Sequence, residues 1–491
     1  MDSKVRVRFA PSPTGGLHLG GVRTVLFNYL FAKHHGGAFI LRIEDTDQSR
    51  FVPGAEKYII DTLNWCGLIP DESTVHGGAY GPYRQSERKA TYTQYAQILI
   101  EKGFAYYAFD TPEDLEEKRK QVPNFQYSRA HRMEMKNSIS LSENEVTELL
   151  KKGTPHVIRI KVPDEEDIVF TDMIRGEVRF DVSTVDDKVL LKADGMPTYH
   201  LAVVVDDFLM KITHAFRGEE WLPSAPVHIL LWKYLFGLDK MPKWAHLPLI
   251  LKPEGSGKLS KRDGERLGFP VFAMDWNDPI TKETTIGFKE KGFLPEAFIN
   301  FLAQLGWNDG TDKEIFSLDE LIASFDIERV HKGGAKFDYE KAKWFNQEWI
   351  KRTDNKVLAT LLQPFLDAAK IEVHEAPYLV KVIGLVKDRC HLLADFIAQS
   401  HFFFAAPSSI DIAAILPKWE EKKQVFFEAL VKTYAQHIAD GVKTIPAATL
   451  EANFKELATA HEIKPGDLLL PLRIMLVGGK FGPGVFEIIE S

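Results

Sequence analysis

Close to its N-terminus the chain reads Arg8-Phe9-Ala10-Pro11-Ser12-Pro13-Thr14-Gly15-Gly16-Leu17-His18-Leu19-Gly20-Gly21. Residues 5–10 alternate in polarity and favour a strand, whereas 20–34 carry apolar side chains at helical spacing. Residues 38–43 are an apolar run typical of a buried strand. The order strand, glycine-rich loop, helix, strand predicts a βαβ unit, from which parallel sheets are built. We therefore expect an α/β fold.

The composition limits the class of protein. A chain of 491 residues is too long for one core, so several domains are expected. It is 45% hydrophobic, has no apolar run of membrane-spanning length and lacks a secretory signal pattern, which predicts a cytoplasmic protein with no membrane insertion. The net charge of −8 argues against indiscriminate binding to phosphate backbones, although a local basic face could hold one folded RNA.

Residues 87–187 differ in character from their surroundings. They contain two charged helical patterns, at 112–120 and 142–152, and two β-rich stretches, at 156–162 and 177–181. We interpret this segment as a domain inserted between two halves of the parallel-sheet domain.

The chain after the insertion changes from mixed to helical character. Apolar runs at 189–192 and 199–205 precede a helical pattern around 226–236. From about Phe293 the pattern is nearly continuous amphipathic helix with glycine and proline punctuation. The C-terminal third is therefore predicted to be mostly helical.

The glycine-rich loop has the composition of a phosphate-binding site. Gly15, Gly16, Gly20 and Gly21 let a ligand approach the backbone closely, and the helix start presents unpaired N–H groups to an anion. His18 can donate a hydrogen bond to a phosphate. These features suit a nucleoside triphosphate, although an ordinary tight turn would have the same composition. The loop does not match the G-x-x-x-x-G-K-[ST] pattern of P-loop proteins.

A second candidate lies far along the chain, where Glu254-Gly255-Ser256-Gly257 precedes Lys258-Leu259-Ser260-Lys261-Arg262. Its glycines predict a mobile loop, and its basic side chains could bind phosphate. An isolated cluster of this kind is also common on solvated surfaces. Neither element identifies a function alone, and their order in one chain is the informative feature.

Together the two elements resemble the paired signatures of class I aminoacyl-tRNA synthetases, a His-x-Gly-His-like element and a Lys-x-Ser-Lys-like loop. Further matches make the chain similar to the glutamyl-tRNA synthetase family. They are Pro11-Ser12-Pro13-Thr14-Gly15, Arg42-Ile43-Glu44-Asp45-Thr46-Asp47, Gly81-Pro82-Tyr83-Arg84-Gln85-Ser86-Glu87-Arg88, Pro197-Thr198-Tyr199-His200-Leu201-Ala202 and Arg217-Gly218-Glu219-Glu220-Trp221. The resemblance runs over nearly the whole chain and thins after about Arg352.

The resemblance implies a Rossmann-type parallel-sheet catalytic domain with an inserted α/β acceptor-binding domain, followed by a mostly helical C-terminal anticodon-binding region. We predict 1–86 and 188–262 as the two catalytic halves, 87–187 as the inserted domain that binds the acceptor end, 263–330 as a connecting helical domain that contacts the tRNA stem, and 331–491 as the helical anticodon-binding domain. A monomer is expected.

The resemblance also implies the reaction. Such enzymes activate L-glutamate with ATP, release pyrophosphate, and transfer the glutamate to the 3′-terminal adenosine of tRNA(Glu), with Mg²⁺ accompanying ATP. No covalent enzyme intermediate is required, so the rate comes from positioning and from stabilising charge on the phosphates. By the match, the catalytic residues are His18, Lys258 and Lys261, and the ATP-binding residues are His18, Gly20, Glu220, Lys258, Ser260, Lys261 and Arg262.

Glutamate carries three charges, and a pocket must answer each of them. Among the family matches, Arg8 and Arg217 would pair with the carboxylates, and Glu44 would bind the ammonium. The predicted glutamate-binding residues are Arg8, Ala10, Ser12, Glu44, Tyr199 and Arg217. Glutamine lacks the side-chain charge and would leave a buried arginine unpaired. Each arginine could instead form a structural salt bridge.

The RNA contacts have weaker signals. Residues 331–352 mix basic and aromatic side chains, as a surface for backbone contact and base stacking does, but an amphipathic helix has the same pattern. Arg389 lies near the position where family members that read only glutamate anticodons carry an arginine. We therefore predict that Arg389 contacts the anticodon.

The chain departs from the family pattern in several places. Gly21 stands where many class I enzymes have a second histidine, and Val203 stands where some relatives have asparagine. The stretch 263–291 is longer than the usual connection and has no predicted function. The two cysteines, Cys66 and Cys390, allow neither a disulfide framework nor a Cys-rich zinc site, so no metal site is predicted, although some relatives bind zinc.

The C-terminal region and the catalytic residues distinguish this chain from related proteins with other functions. Glutaminyl-tRNA synthetases resemble a branch with a β-barrel anticodon domain, whereas this C-terminal third is predicted to be helical. A truncated relative that glutamylates a modified tRNA base, or a small-molecule nucleotidyltransferase, would lack so long a C-terminal extension. A non-catalytic RNA-binding paralogue need not retain the catalytic residues.

Overall fold

The computed structural model describes residues 4–164, 167–442 and 444–491. Its strands are β1 Arg6–Phe9, β2 Ala38–Leu41, β3 Ala105–Ala108, β4 Val157–Ile160, β5 Ile168–Asp172, β6 Gly176–Phe180, β7 Val189–Leu191, β8 His214–Gly218, β9 Lys243–Leu247, β10 Ile250–Leu251, β11 Trp276–Asn277, β12 Thr284–Thr285 and β13 Ala335–Lys336. Its α-helices are α1 Leu19–His34, α2 Ala55–Trp65, α3 Lys89–Glu101, α4 Pro112–Gln121, α5 Glu143–Lys151, α6 Tyr199–Leu209, α7 Ala225–Leu235, α8 Lys261–Leu267, α9 Pro295–Gln304, α10 Leu318–Ser324, α11 Tyr339–Arg352, α12 Asn355–Ala368, α13 Ala376–Val386, α14 Asp395–Ser400, α15 Glu421–Ala439, α16 Ala447–Ala460, α17 Gly466–Val477 and α18 Val485–Glu490.

The predicted N-terminal βαβ unit is confirmed. β1 and β2 pair in parallel over the length of both strands, and α1 connects them. Val22, Leu26 and Leu30, spaced along one face of α1, are completely buried. The helix therefore packs onto the sheet through the side chains whose periodicity predicted it.

A second sheet continues the first. Its order is β6-β5-β9-β8, with β8 and β5 both parallel to β9 and β6 antiparallel to β5. β1 lies beside β8, where the N–H of Thr213 donates to the carbonyl of Arg6 at 2.9 Å. β2 and β9 therefore lie on opposite sides of the β1–β8 pair. The strand order therefore runs outward in opposite directions from this pair, and such a point is called a topological switch point. Open α/β sheets bind ligands at this point, beyond the carboxyl ends of the strands.

Residues 87–187 contribute to two sheets. β3 and β4 form a separate antiparallel sheet with β7, and the two predicted helices are present as α4 and α5. Each helix begins at a capping box, from Thr111 and Ser142. The hairpin β5–β6 belongs instead to the sheet of β8 and β9. Part of the segment interpreted as an insertion therefore supplies strands to the central sheet.

The apolar run at 199–205 lies in a buried helix, α6. Leu201 to Val205 are all nearly inaccessible, so every side of this part of the helix is covered. A buried helix has no polar face, and its sequence therefore resembles that of a buried strand. The run at 189–192, in contrast, includes strand β7.

The chain divides into two compact units. One extends from the N-terminal strand to Phe288 and includes Phe298–Tyr339, and the other comprises Lys289–Ala297 and Glu340–Ser491. From Asn355 to the C-terminus the described residues form helices and turns, which confirms the predicted helical C-terminal region. None of the described helices is both long and apolar enough to cross a membrane.

Candidate active site

A cleft of about 1280 Å³ opens beyond the carboxyl ends of β1 and β8. The predicted site residues that line it are Arg8, Ala10, Ser12, His18, Gly20, Glu44, Tyr199, Arg217, Glu220, Lys258 and Ser260. Three others lie outside the lining: Lys261 and Arg262 are in the first turn of α8, and Arg389 is in the second unit. The switch point explains why strand ends so far apart in sequence meet here.

His18 is the N-cap residue of α1. Its Nδ1 accepts the N–H of Gly20 at 3.2 Å, and its Nε2 is buried without a hydrogen-bond partner among the described residues. Burial lowers the pKa of His18 to about 4, and the charge of Lys258 acts in the same direction. His18 is therefore neutral at pH 7, with one N–H available to a ligand in the cleft.

Arg217 is a buried guanidinium in a neutral environment. It is 6% exposed and contacts Nδ1 of His228 at 3.0 Å, Nε2 of His246 at 3.1 Å and the hydroxyl of Tyr199 at 3.3 Å. No carboxylate of the described residues forms an ion pair with it. Burial lowers the pKa of Arg217, because a guanidinium removed from water favours its uncharged form. A buried cation that faces a cleft without a counter-charge is suited to bind an anionic ligand group.

Two histidines hold this guanidinium without neutralising it. Nδ1 of His246 lies 2.6 Å from the carboxylate of Asp172, so its Nδ1–H donates there and its Nε2 accepts from Arg217. His228 likewise accepts through Nδ1, and its Nε2 lies 3.1 Å from Nδ1 of His200. The nearest acidic charge in this chain of contacts is thus one imidazole ring away from the guanidinium, so it does not compete with a ligand for Arg217.

Arg8 differs from Arg217 because it already has an acidic partner. Its Nε lies 3.0 Å from Asp207, which also accepts from Arg42 at 2.8 Å, and Arg42 donates to Glu44 at 2.9 Å. All four side chains are buried. The four residues form a chain of alternating charge at the base of the cleft, and the alternative of a structural salt bridge therefore describes part of what Arg8 does.

Glu44 keeps one oxygen unpaired. Arg42 and Gln85 both donate to Oε1, at 2.9 and 3.4 Å, whereas Oε2 has no hydrogen-bond partner among the described residues. Burial raises the pKa of Glu44, and the neighbouring arginines oppose that rise. A cationic ligand group at Oε2 would favour the charged carboxylate further.

The two lysines of the basic loop, residues 258–262, form ion pairs with acidic neighbours. Lys258 Nζ lies 2.6 Å from Glu220, and Lys261 Nζ lies 3.6 Å from Glu265 and 3.8 Å from Glu283. Ser260 forms a capping box with Asp263 that begins α8. Loop residues predicted to bind ATP are therefore already engaged in contacts within the protein.

Several residues at the site were not predicted from sequence. His228 and His246 contact Arg217, Asp172 contacts His246, and Asp207 pairs with Arg8. A polar residue within an apolar segment, such as His246 in a buried strand, indicates a buried polar contact. The pattern does not predict which residue forms that contact. Trp221 was part of a family match but had no predicted role. The centroid of its ring lies 4.9 Å from that of Tyr199 on the cleft wall.

The two departures from the family pattern also line the cleft. Val203 is buried there and offers only a hydrocarbon surface. At Gly21 a Cβ would lie 2.7 Å from Cδ1 of Leu17, so a larger residue would require Leu17 to move. Among the residues described, no group of three or more His, Cys, Asp or Glu side chains is placed to hold a metal ion.

The buried histidines predict a loss of stability in acid. Burial lowers the pKa of both His18 and His200 to about 4, and lowers those of His228 and His246 as well. Because these groups bind protons more readily when unfolded, stability is complete above about pH 6.5 and falls as the pH decreases toward 4. At pH 5.5 His18 and His200 should each lower the free energy of unfolding by about 1.4 kcal/mol.

Thermal unfolding between pH 8 and 5 measures this effect. His200→Gln should reduce the fall in Tm, and His76→Gln, at an exposed position, should leave it unchanged. A Tm that does not decrease below pH 6.5 would contradict the prediction.

Sequence comparisons match both parts of the chain to known families. Residues 4–344 match tRNA synthetases class I (E and Q), catalytic domain, and residues 357–491 match an anticodon binding domain. The glutamate–tRNA ligase of Flavobacterium psychrophilum is 51% identical over 494 residues, covering 100% of this chain and 96% of the relative. That of Porphyromonas gingivalis is 50% identical over 491 residues, with the same coverage.

Solved structures agree. A crystal structure of a glutamate tRNA ligase from Elizabethkingia meningosepticum in complex with its amino acid matches with a TM-score of 0.93 and 48% identity, over 99% of this chain and 96% of that one. The glutamate–tRNA synthetase of Elizabethkingia anophelis matches with a TM-score of 0.92 and 48% identity, over 99% and 97%. The resemblance seen in the sequence is thus confirmed, and the chain belongs to the glutamate–tRNA ligases, within the class I tRNA synthetases for glutamate and glutamine.

Proposed function

We propose that the chain joins L-glutamate and ATP in the cleft beyond β1 and β8, releases pyrophosphate, and transfers the glutamyl group to the 3′-terminal adenosine of tRNA(Glu). The observation that carries this proposal is Arg217, a buried cation on the cleft wall with no carboxylate among its described partners. The substrate supplies the missing negative charge.

Each charged group of glutamate has its own binding residue in this proposal. Arg217 binds one carboxylate, and Arg8, whose charge is partly compensated by Asp207, supports the other. The ammonium approaches Oε2 of Glu44. Ser12, Ala10 and Tyr199 complete the pocket wall.

Activation requires a carboxylate oxygen of glutamate to attack the α-phosphorus of ATP, while the bond from that phosphorus to the pyrophosphate oxygen breaks. The neutral His18 donates its Nε2–H to a phosphate oxygen, and the N–H groups beside Gly20 lie at the start of α1. Lys258 and Lys261 place positive charge near the leaving pyrophosphate, and Glu220, Ser260 and Arg262 complete the proposed ATP-binding set.

Mg²⁺ bound to ATP would add positive charge at the phosphates. Mg²⁺ usually keeps several waters and binds nucleotides through their phosphate oxygens.

For tRNA we propose the division drawn from the sequence, with the hairpin β5–β6 counted in the catalytic domain: catalytic halves 1–86 and 188–262, 87–187 for the acceptor end, 263–330 for the stem and 331–491 for the anticodon. The functional unit is a monomer.

Aminoacylation tests the function directly. Purified tRNA(Glu) and tRNA(Gln) are each incubated with ATP and with glutamate or glutamine, and pyrophosphate exchange is measured with and without tRNA. Glutamate on tRNA(Glu) is the expected product. Glutamine as the preferred amino acid, or exchange activity with no aminoacylated tRNA, would contradict the proposal.

Arg389 is expected to select the anticodon. It is exposed in the second unit. Burial lowers the pKa of Arg473, and the charge of Arg389 acts in the same direction. Arg389→Gln should lower the charging of tRNA(Glu) relative to tRNA(Gln) by about tenfold, because one contact to a base edge is worth roughly 1–3 kcal/mol. Lys57→Gln, at a position that is 79% exposed in α2 and lies outside the segments proposed to contact tRNA, is the control. Charging of tRNA(Gln) by the wild type as efficiently as tRNA(Glu) would refute this role.

A further inference from the structure

The stretch 263–291, which had no predicted function, joins the two elements assigned to ATP. It begins at the basic loop, forms α8, and turns at Gly268 back toward the glycine-rich loop. There the N–H of Leu19 donates to the carbonyl of Val271 at 2.8 Å, and His18 and Phe272 form an isolated antiparallel bridge. The segment thus adds backbone contacts at the very residue that caps α1.

The ring of His18 is held from two sides. The N–H of Gly20 fixes Nδ1, and the ring of Phe272 meets the imidazole edge-on, with centroids 6.3 Å apart and planes at 87°. Rotation of the imidazole would break both contacts. Its unpartnered Nε2 is therefore kept in one orientation.

The glycine-rich loop is covered by a second aromatic side chain. Trp276 is 6% exposed, and a Cβ at Gly16 would lie 2.9 Å from its Cγ, so the backbone of the loop touches the indole directly. Trp276 also packs with Phe272 in a buried cluster that includes Val52 and Ala55. The absence of a side chain at Gly16 therefore serves packing from outside the cleft.

Tyr58 ties this segment to the body of the unit. Its hydroxyl donates to the carbonyl of Met274 at 2.6 Å and accepts the N–H of Met274 at 3.1 Å, and its ring meets Trp276 edge-on with centroids 5.2 Å apart. Tyr58 belongs to α2, which is not part of the cleft wall. The segment thus has a fixed support behind it.

We propose that residues 269–287, here named the bracing segment, position the ATP-binding loop, with Phe272 and Trp276 as positioning residues for His18 and for the backbone at Gly16. This inference rests on the proposed assignment of that loop to ATP. A donor held in one orientation loses less conformational freedom when it binds the phosphates of ATP, so a loosened imidazole weakens ATP binding while the glutamate pocket is unaffected.

The test compares Phe272→Leu, Phe272→Tyr and Trp276→Leu in the full-length enzyme. The control is Ile280→Ala, between the paired strands β11 and β12, where the side chain is 73% exposed. Binding of a non-hydrolysable ATP analogue is measured by calorimetry with and without tRNA, KM is measured for ATP and glutamate, and Tm reports folding.

Phe272→Leu and Trp276→Leu should raise the KM for ATP and the Kd of the analogue by about tenfold, with the KM for glutamate changed by less than about twofold. Phe272→Tyr, which retains the ring, should restore the wild-type values, and Ile280→Ala should match wild type. Equal increases in both KM values, or a lowered Tm with unchanged ATP binding, would overturn the proposal. Failure of the wild type to aminoacylate would refute the proposed function instead, because analogue binding is scored independently of catalysis.

Discussion

Replacement of Arg217 by alanine is expected to lower kcat/KM for glutamate in the activation step by about a thousandfold. The variant removes the buried cation whose partners in the protein are neutral, and loss of one member of a buried charge pair typically costs 2–5 kcal/mol or more. Binding of ATP should change by less than about threefold, because the ATP-binding residues belong to a different part of the cleft wall. Pyrophosphate exchange at varied glutamate and varied ATP measures both values.

Two further variants distinguish a role of Arg217 in substrate recognition from a role in the fold. Arg217→Lys keeps the charge without the planar fork and should lose less activity than alanine. His228→Asp would place a carboxylate oxygen near the position of Nδ1, which lies 3.0 Å from the guanidinium, and should mimic the loss of Arg217, because it supplies the counter-charge that the substrate otherwise provides. Equal losses for glutamate and ATP in Arg217→Ala would show that this residue supports the fold rather than recognition.

Lys261→Ala is expected to slow adenylate formation by about a hundredfold while the affinity for tRNA changes by less than about twofold. Lys261 lies outside the cleft lining, and its contacts with Glu265 and Glu283 are long and exposed. Weak contacts of this kind cost little to break, so they leave the lysine free to approach the pyrophosphate.

The matched control for Lys261 is Arg266→Ala, which removes a basic side chain from the same helix on an exposed face. Single-turnover formation of glutamyl-adenylate and filter binding of tRNA measure the two quantities. An unchanged rate of pyrophosphate exchange in Lys261→Ala would remove this residue from the mechanism.

The parts of the fold that sequence reasoning predicted are those set by local pattern. The first strand, α1 and the second strand are adjacent in the chain, and their periodicities differ. The run at 199–205 shows the limit, because apolar content without a period does not distinguish a buried helix from a buried strand.

The site was predictable where motif residues stand at strand ends, and only through the family resemblance. Partners such as Asp207 for Arg8, or Asp172 for His246, join positions far apart in sequence, and each is an ordinary aspartate in its local context. The topology brings them together. The same holds for Phe272 and Trp276, whose roles depend on the return of the chain to a loop that lies more than two hundred residues earlier.

The alternating charges of Arg8, Asp207, Arg42 and Glu44 have a consequence for how specificity can change. Loss of Asp207 would leave Arg8 without its carboxylate partner, and loss of Arg42 would leave Glu44 without its ion pair, at a cost of about 3–5 kcal/mol, so the two inner positions are constrained by their neighbours. Arg217 stands outside this constraint, since its partners are uncharged. If Arg217 binds the side-chain carboxylate of glutamate, a change to a neutral amino acid substrate would begin at Arg217, with Asp207 and Arg42 retained.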